Sequence, residues 1–298
     1  MKRNGVLIED TFAEAFPMRA TRLVITAIDE NWAMHAARAL TGFATSVIAC
    51  GCEAGIERTL RPTETPDGRP GVAVLIFAMS LKALADQVLK RVGQCVMTTP
   101  TAACYSGLQG AEKAAMGKSL RFFGDGWQLS KKLGGERFWR VPVMHGEFVC
   151  QDYAGVQKAV GGGNFLVLAR TAREGLDACE RAIKAMSRVR DVIMPFPGGV
   201  VGSGSKVGSK YKFLPASTNQ RFCPTLKGAV ANDLTPEVGS VLEIVIDGLT
   251  PEAIREATRV GIEACCRLGP RKGILAISAG NYGGKLGPFH FHLRELMQ

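Results

Sequence analysis

The sequence predicts an α+β protein built as two ferredoxin-like βαββαβ lobes related by an internal repeat, residues 1–146 and 147–298. Three observations carry this. Apolar runs of strand length alternate with segments of helical period. The order strand, helix, strand, strand, helix, strand occurs twice. The second copy is longer at one place only, a Gly-rich insert at 195–239 between its second and third strands.

In the first copy, Leu23-Val24-Ile25 reads as a strand, and a helix over about Glu30 to Thr41 stops at Gly42. Ser46-Val47-Ile48 reads as the second strand, and Val72 to Phe77 as the third, after the turn-rich segment Glu64 to Gly71. Ser80 can cap a helix carrying Leu84, Ala85, Val88 and Val92 on one face. In the second copy, Phe165 to Leu168 is a strand, and Thr171 with Glu174 has the spacing of a capping box. Leu176, Cys179, Ile183 and Met186 line the helix that follows. Val192-Ile193-Met194 and Val241 to Ile246 are strands, and Thr250 caps a helix with Pro251 at its first position. Ile254, Ala257, Gly261, Ala264 and Leu268 form its buried stripe, and Ile274 to Ile277 closes the unit.

Composition narrows the function. With 46% hydrophobic and 21% charged residues in 298, the chain can bury a full core unaided by disulfides or metals. No apolar run reaches transmembrane length, and the N-terminus has no long apolar stretch, so a soluble cytoplasmic protein is expected, with no membrane partner. Nine cysteines, an odd number without compact spacing, suit reduced intracellular thiols. Cys50-x-Cys52 has no second half, and His290-x-His292 no third ligand, so no metal is expected. The net charge of +10 points toward an anionic partner. The basic residues are dispersed and no RNA-binding aromatic signature is present, so nucleic acid is not expected.

The segment Phe196-Pro197-Gly198-Gly199 through Ser209-Lys210 invites a phosphate-loop reading, but its spacing fails. Gly208 is followed by Ser209-Lys210, the reverse of a Walker loop, and Gly202-x-Gly204 is followed by a glycine one position too late for a dinucleotide fingerprint. What survives is a run of small residues with two lysines, suited to an anionic or amide-bearing ligand. Two further Gly runs, Gly161-Gly162-Gly163-Asn164 and Ser278 to Gly287, border predicted strands and read equally well as structural corners. Glu243 is the most unusual acid. Both faces of its strand read apolar, so desolvation should favour the neutral carboxyl, which can donate to a developing oxyanion. The residues alone leave an edge-facing or salt-bridged glutamate open.

Several segments together resemble formylmethanofuran:tetrahydromethanopterin formyltransferase. They are Asn4-Gly5-Val6 through Phe16, Glu64 to Gly71, Gly93-Gln94-Cys95-Val96-Met97-Thr98, Phe122 to Gly126, Pro195 to Gly199, Ser205 to Lys210, Phe213 to Asn219, and Ile277 to Gly287. They span nearly the whole chain in order. The resemblance implies reversible formyl transfer between the amine of a furan coenzyme and N5 of tetrahydromethanopterin, with no permanently bound cofactor; the chemistry then calls for a tetrahedral intermediate, and a ternary complex is the expected route. The resemblance also places a catalytic glutamate at Glu243. Phe196, Pro197, Gly198, Gly199, Ser205, Lys206, Lys210, Ser217, Thr218, Asn219, Asn281 and Gly283 are the expected coenzyme-binding residues. The basic charge departs from acidic archaeal members and is similar to homologues of aerobic methylotrophs. There the resemblance implies one-carbon oxidation toward formate, within a formyltransferase/hydrolase complex, by a homotetramer. Their furan coenzyme, a methylofuran, carries a glutamate chain that Lys206 and Lys210 could engage. A non-catalytic coenzyme-binding scaffold subunit is the alternative.

Overall fold

The computed structural model describes residues 1–232 and 234–298. They form a mixed α+β fold of two compact units, residues 18–159 and residues 1–17 with 160–298. The chain passes between the units inside the long strands Phe12–Thr26 and Tyr153–Ala169. Among the described residues no helix is long and apolar enough to cross a membrane.

In the unit of residues 18–159, the spatial order is Glu53–Leu60, Gly71–Ala78, residues 18–26 and Ala103–Ser106, followed by Gly146–Gln151, Glu136–Val143 and Leu129–Leu133. The helix Glu30–Thr41 buries Ala33, Ala36, Ala37 and Leu40 in a core shared with Leu23, Ile25, Val74 and Ile76. The helix Leu81–Arg91 starts where Ser80 accepts from the Ala83 N–H and adds Leu84 and Val88 to the same core.

The unit that includes residues 160–298 repeats this order. Val192–Ile193, Ser240–Gly248, residues 160–169 and Ile274–Ser278 lie side by side, and Val6–Ile8 and Lys2–Arg3 extend the sheet. The helices Ala172–Met186 and Pro251–Cys266 cover one face. Their caps are Thr171, accepting from the Glu174 N–H, and Thr250, accepting from the Ala253 N–H. Phe165, Val167, Ile244 and Ile246 point into this helical layer. The other face carries Leu166, Leu168, Val241 and Ala276, covered by Phe222, Leu234 and Val238 of the Gly-rich insert. One face is therefore sealed by helices and the other by a loop.

Three sequence expectations need correction. Ser46-Val47-Ile48 is not the second strand. Ser46 accepts from the Ile48 N–H and caps a one-turn helix, Val47–Cys50, which ends on a left-handed Gly51. The strand is Glu53–Leu60, hidden from periodicity by Glu57 and Arg58, an edge position that tolerates charge. Leu176 is 37% exposed, and the helix buries Gly175, Ala178, Cys179, Ala182 and Met186 instead, a stripe rotated toward small residues. Gly42 ends its helix in an extended conformation rather than a left-handed one, its N–H bonded to the Ala39 carbonyl.

The helix Pro251–Cys266 lies very close on the sheet. A Cβ on Gly163 would stand 2.6 Å from Ile254 Cγ2, and one on Gly248 2.7 Å from Ile254 Cγ1. Gly163→Ala should therefore destabilise by about 1–3 kcal/mol through overpacking. In denaturant titrations the double variant Gly163→Ala/Ile254→Ala should lose less than the sum of the singles.

Candidate active site

The insert leaves the sheet after Ile193 and turns at Pro197–Gly199 against the helix Ala172–Met186. Gly199, at φ +80°, is required there, because a Cβ would lie 2.4 Å from Ile183 Cδ1. The chain then rejoins the sheet edge for a single rung. The Val201 N–H donates to the Glu243 carbonyl at 2.7 Å and the Glu243 N–H to the Val201 carbonyl at 3.0 Å. The insert runs on through a hairpin pairing Lys206 with Ser217 and returns at Gly239, whose N–H donates to the Ala169 carbonyl at 2.9 Å.

A cleft of about 180 Å³ opens between insert and sheet. Its floor is Asn164, Leu166, Val241 and Glu243, and its walls are residues 201–205, Asn219, residues 222–225 and the segment 280–282. Glu243 lies opposite Leu166 in the sheet, so hydrocarbon flanks its carboxyl. Burial raises its pKa from 4.5 to about 7. Below neutrality it is largely a neutral acid, and near pH 7 about half of it is, so a substantial fraction can donate a hydrogen bond. A second cleft of about 230 Å³ shares Asn219, Phe222 and residues 280–282 with the first and adds Glu9, Lys206 and Arg221.

Two buried side chains shape the wall at 280–287. Asn164 is 6% exposed and grips Gly280 from both sides. Its Oδ1 accepts from the Gly280 N–H at 2.6 Å, and its Nδ2 donates to the Gly280 carbonyl at 3.1 Å. Glu14 is 2% exposed and accepts from the N–H groups of Tyr282, Gly284, Leu286 and Gly287. Asn281 donates to Thr11 Oγ1 at 3.0 Å and to the Phe12 carbonyl at 3.2 Å.

The predicted site residues separate into groups. Glu243, Ser205, Asn219 and Asn281 line the first cleft, and Lys206, Asn219 and Asn281 the second. Phe196, Pro197, Gly198 and Gly199 form the turn on the helix and line neither. Ser217 Oγ donates to the Gly208 carbonyl at 2.6 Å, which closes the hairpin, and Thr218 Oγ1 lies 3.3 Å from Cys223 Sγ. Lys210 is exposed, and the Gly283 N–H donates to Asn281 Oδ1 at 3.3 Å. Sequence reasoning missed Asn164, Tyr282, Arg221 and Glu14. Asn164 carried the same signal as Glu243, a polar residue in an apolar strand. Glu14 carried none, because its partners lie 268 to 273 residues away.

A desolvated carboxyl beside fixed polar side chains is a site suited to carbonyl chemistry. Residues 1–143 match the family model described as formylmethanofuran-tetrahydromethanopterin formyltransferase, and residues 146–296 the model of the proximal lobe of the same enzyme. The chain belongs to this formyltransferase family. It is 66% identical over 294 residues to formylmethanofuran–tetrahydromethanopterin formyltransferase of Methylococcus capsulatus, covering 99% of each chain. It is 50% identical over 301 residues to one of the subunits of the formyltransferase/hydrolase complex of Methylorubrum extorquens, covering 99% of this chain and 97% of the relative. In solved structures it matches a chain of the Methylorubrum extorquens formyltransferase/hydrolase complex with methylofuran at a TM-score of 0.98 and 49% identity, covering 100% of this chain and 99% of the other. The formyltransferase of Methanosarcina barkeri matches at a TM-score of 0.94 and 46% identity, with both chains covered completely.

The desolvated carboxyl is directly measurable. Glu243 should titrate near pH 7 in ¹³C-detected NMR of glutamate-labelled protein. A midpoint near 4.5 would mean that water reaches the carboxyl freely. Ionising Glu243 is harder in the folded chain than in the unfolded one. The stability associated with its protonated form is therefore complete below about 4.5 and falls away as pH rises through about 7.

Proposed function

We propose that this chain catalyses reversible formyl transfer between a methanofuran- or methylofuran-type coenzyme and N5 of tetrahydromethanopterin, with Glu243 as the catalytic acid. The observation that carries the reading is Glu243 on the cleft floor, its pKa raised to about 7 by burial, in a member of this family.

Formyl transfer asks for little covalent chemistry from the protein. The amine of one coenzyme attacks the formamide carbonyl carried by the other. As the new C–N bond forms, negative charge gathers on the formyl oxygen of a tetrahedral intermediate. Neutral Glu243 donates a hydrogen bond to that oxygen. As the old C–N bond breaks, the proton of the attacking amine passes to the departing amine, and formyl is conserved. A donor already aimed at the oxyanion stabilises it without reorganisation. Holding both coenzymes at one carbonyl supplies proximity, so no formyl-enzyme is needed.

Lys206 and Arg221 at the second cleft, with exposed Lys210, give a positive approach for a coenzyme tail bearing carboxylates. We read the binding set as Ser205, Lys206, Asn219 and Asn281 in direct contact. Phe196 to Gly199, Lys210, Ser217, Thr218 and Gly283 belong to the segments that form the walls. We also read each lobe as ferredoxin-like. The support is the strand order second, third, first, fourth, found in both units. The oxidative direction, a homotetramer and association with the other subunits of a formyltransferase/hydrolase complex complete the proposal. Similarity to a component of the Methylorubrum extorquens complex, and to its structure with methylofuran, supports the last of these.

Glu243→Ala should lower kcat by about 10²–10³, the effect of removing one oxyanion donor, with KM for both coenzymes changed far less. Glu243→Gln keeps a neutral donor but cannot ionise. It should turn over more slowly than wild type and lose the decline in kcat that wild type shows as pH rises past about 7. Wild-type turnover in either variant would remove Glu243 from the mechanism. Binding of a polyglutamylated furan coenzyme should weaken as salt rises from about 50 to 200 mM, and less steeply in Lys206→Ala.

A further inference from the structure

We propose that Glu14 is a positioning residue for this site, holding the loop from Tyr282 to Gly287 so that the Tyr282 side chain stands in the cleft with Glu243. The turnover part of the proposal rests on the catalytic reading of Glu243, whereas the loop part stands on geometry alone.

Glu14 occupies an unusual place for an acid. It lies in the strand Phe12–Thr26, opposite His290 of the strand Phe289–His292, and is 2% exposed. Among the described residues no lysine or arginine pairs with it. Its partners are main-chain amides of one loop. Oε2 accepts from Tyr282 at 2.8 Å and Gly284 at 3.0 Å, and Oε1 accepts from Leu286 and from Gly287 at 2.9 Å. Gly283 and Gly284 sit at φ +71° and +73°, which lets the chain curl its N–H groups inward around the two oxygens. Burial alone would push the carboxyl up, and the four amide donors more than offset it, so its pKa falls below the usual value. Without the anion, four converging N–H groups would lose their acceptor inside the protein, a cost large enough to open the loop.

The loop delivers Tyr282. The first amide in the carboxylate's grip is the Tyr282 N–H, and Tyr282 lines both clefts. On the other flank, Asn164 clamps Gly280 and Asn281 is tied to Thr11 and Phe12. The backbone that carries the phenol is thus held on both sides of Tyr282, and the residue itself is 36% exposed at the cleft. Burial, then the Glu243 carboxylate, then that of Glu14 hold its pKa above the ordinary value. The phenol stays protonated at working pH and offers a second donor in the cleft of Glu243. Glu14 touches neither coenzyme in this account and acts through the loop.

The test uses the full chain and reads structure and turnover separately. In Glu14→Gln, one carboxylate oxygen becomes an NH₂ group that faces amide donors. Hydrogen exchange of residues 282–287 should quicken at least tenfold while the strand Ser240–Gly248 keeps wild-type protection. kcat should fall with little change in KM. Tyr282→Phe should lower kcat as well, and Glu14→Gln/Tyr282→Phe should fall no further than Glu14→Gln alone. If Glu14→Gln does not fold, Glu14→Asp keeps the charge with a shorter reach and should show the same local exchange pattern. Unchanged exchange of the loop, uniform quickening across the unit, or additive losses of kcat in the double variant would each overturn the proposal. Failure of the catalytic reading is distinct. It shows as wild-type turnover in Glu243→Ala or Glu243→Gln, while loop exchange still decides the role of Glu14.

Discussion

The chemistry depends on how the outer face of one sheet is covered. The strand Ser240–Gly248 is sealed by two helices on one side. On the other it carries Val241 and Glu243 beneath an irregular loop rather than a third helix. A helix would have filled the space over Glu243 with side chains. The insert touches down on Leu166, Leu168 and Ala276 through Phe222, Leu234 and Val238, and leaves a cleft where it arches away. The same covering excludes enough water to lift the carboxyl pKa to about 7. Fold and reactivity thus share one cause. The Val201–Glu243 rung ties the loop to the backbone of the residue whose side chain it shelters.

Glu14 and Glu243 show how far environment separates two identical side chains. Both lie on strands and are hemmed in by protein. Glu14 meets four amide dipoles and is held charged, whereas Glu243, across the sheet from Leu166 and desolvated, is pushed up to about 7. The signs of their pH linkage are opposite. Stability tied to ionised Glu14 is lost as pH falls through its lowered pKa, whereas that tied to neutral Glu243 is lost as pH rises. Around neutrality the unit therefore carries a fixed anion and a titrating acid side by side.

Much of this was legible in the sequence because it follows from local rules. Thr171, Thr250 and Ser80 announced their helices, and the apolar runs around Val72 and Val241 announced central strands. Glu243 stood out because an acid in such a run has few structural excuses. The strands Leu129–Leu133 and Glu136–Val143 gave little signal, since the first is exposed along its whole length and the second carries Glu136, Arg137, Arg140 and a proline. Long-range partners were invisible for a different reason. Nothing near Glu14 in the chain hints that its carboxylate will meet amides at the far C-terminal end. In the Gly-rich stretch, composition marked the right segment but could not separate the turn at Phe196 to Gly199, which grips a helix, from residues 202–205, which face the cleft.

The repeated strand order has a consequence for how such a site can arise. In the unit of residues 18–159, the strand Gly71–Ala78 is buried at every position and reads Gly-Val-Ala-Val-Leu-Ile-Phe-Ala, with no acid. Residues 61–70 join it to its neighbour Glu53–Leu60. The counterpart connection in the other unit is several times longer and holds the cleft. Lengthening a connection costs little closure entropy once its ends are fixed. Here they are fixed at Ile193 and Gly239. Duplication of a stable frame would leave one copy to preserve the architecture and free the other to accumulate loop and carboxylate. On that view the enzyme is a division of labour between twins, and further variation in substrate range has an obvious place to occur, in the one connection whose length the frame does not dictate.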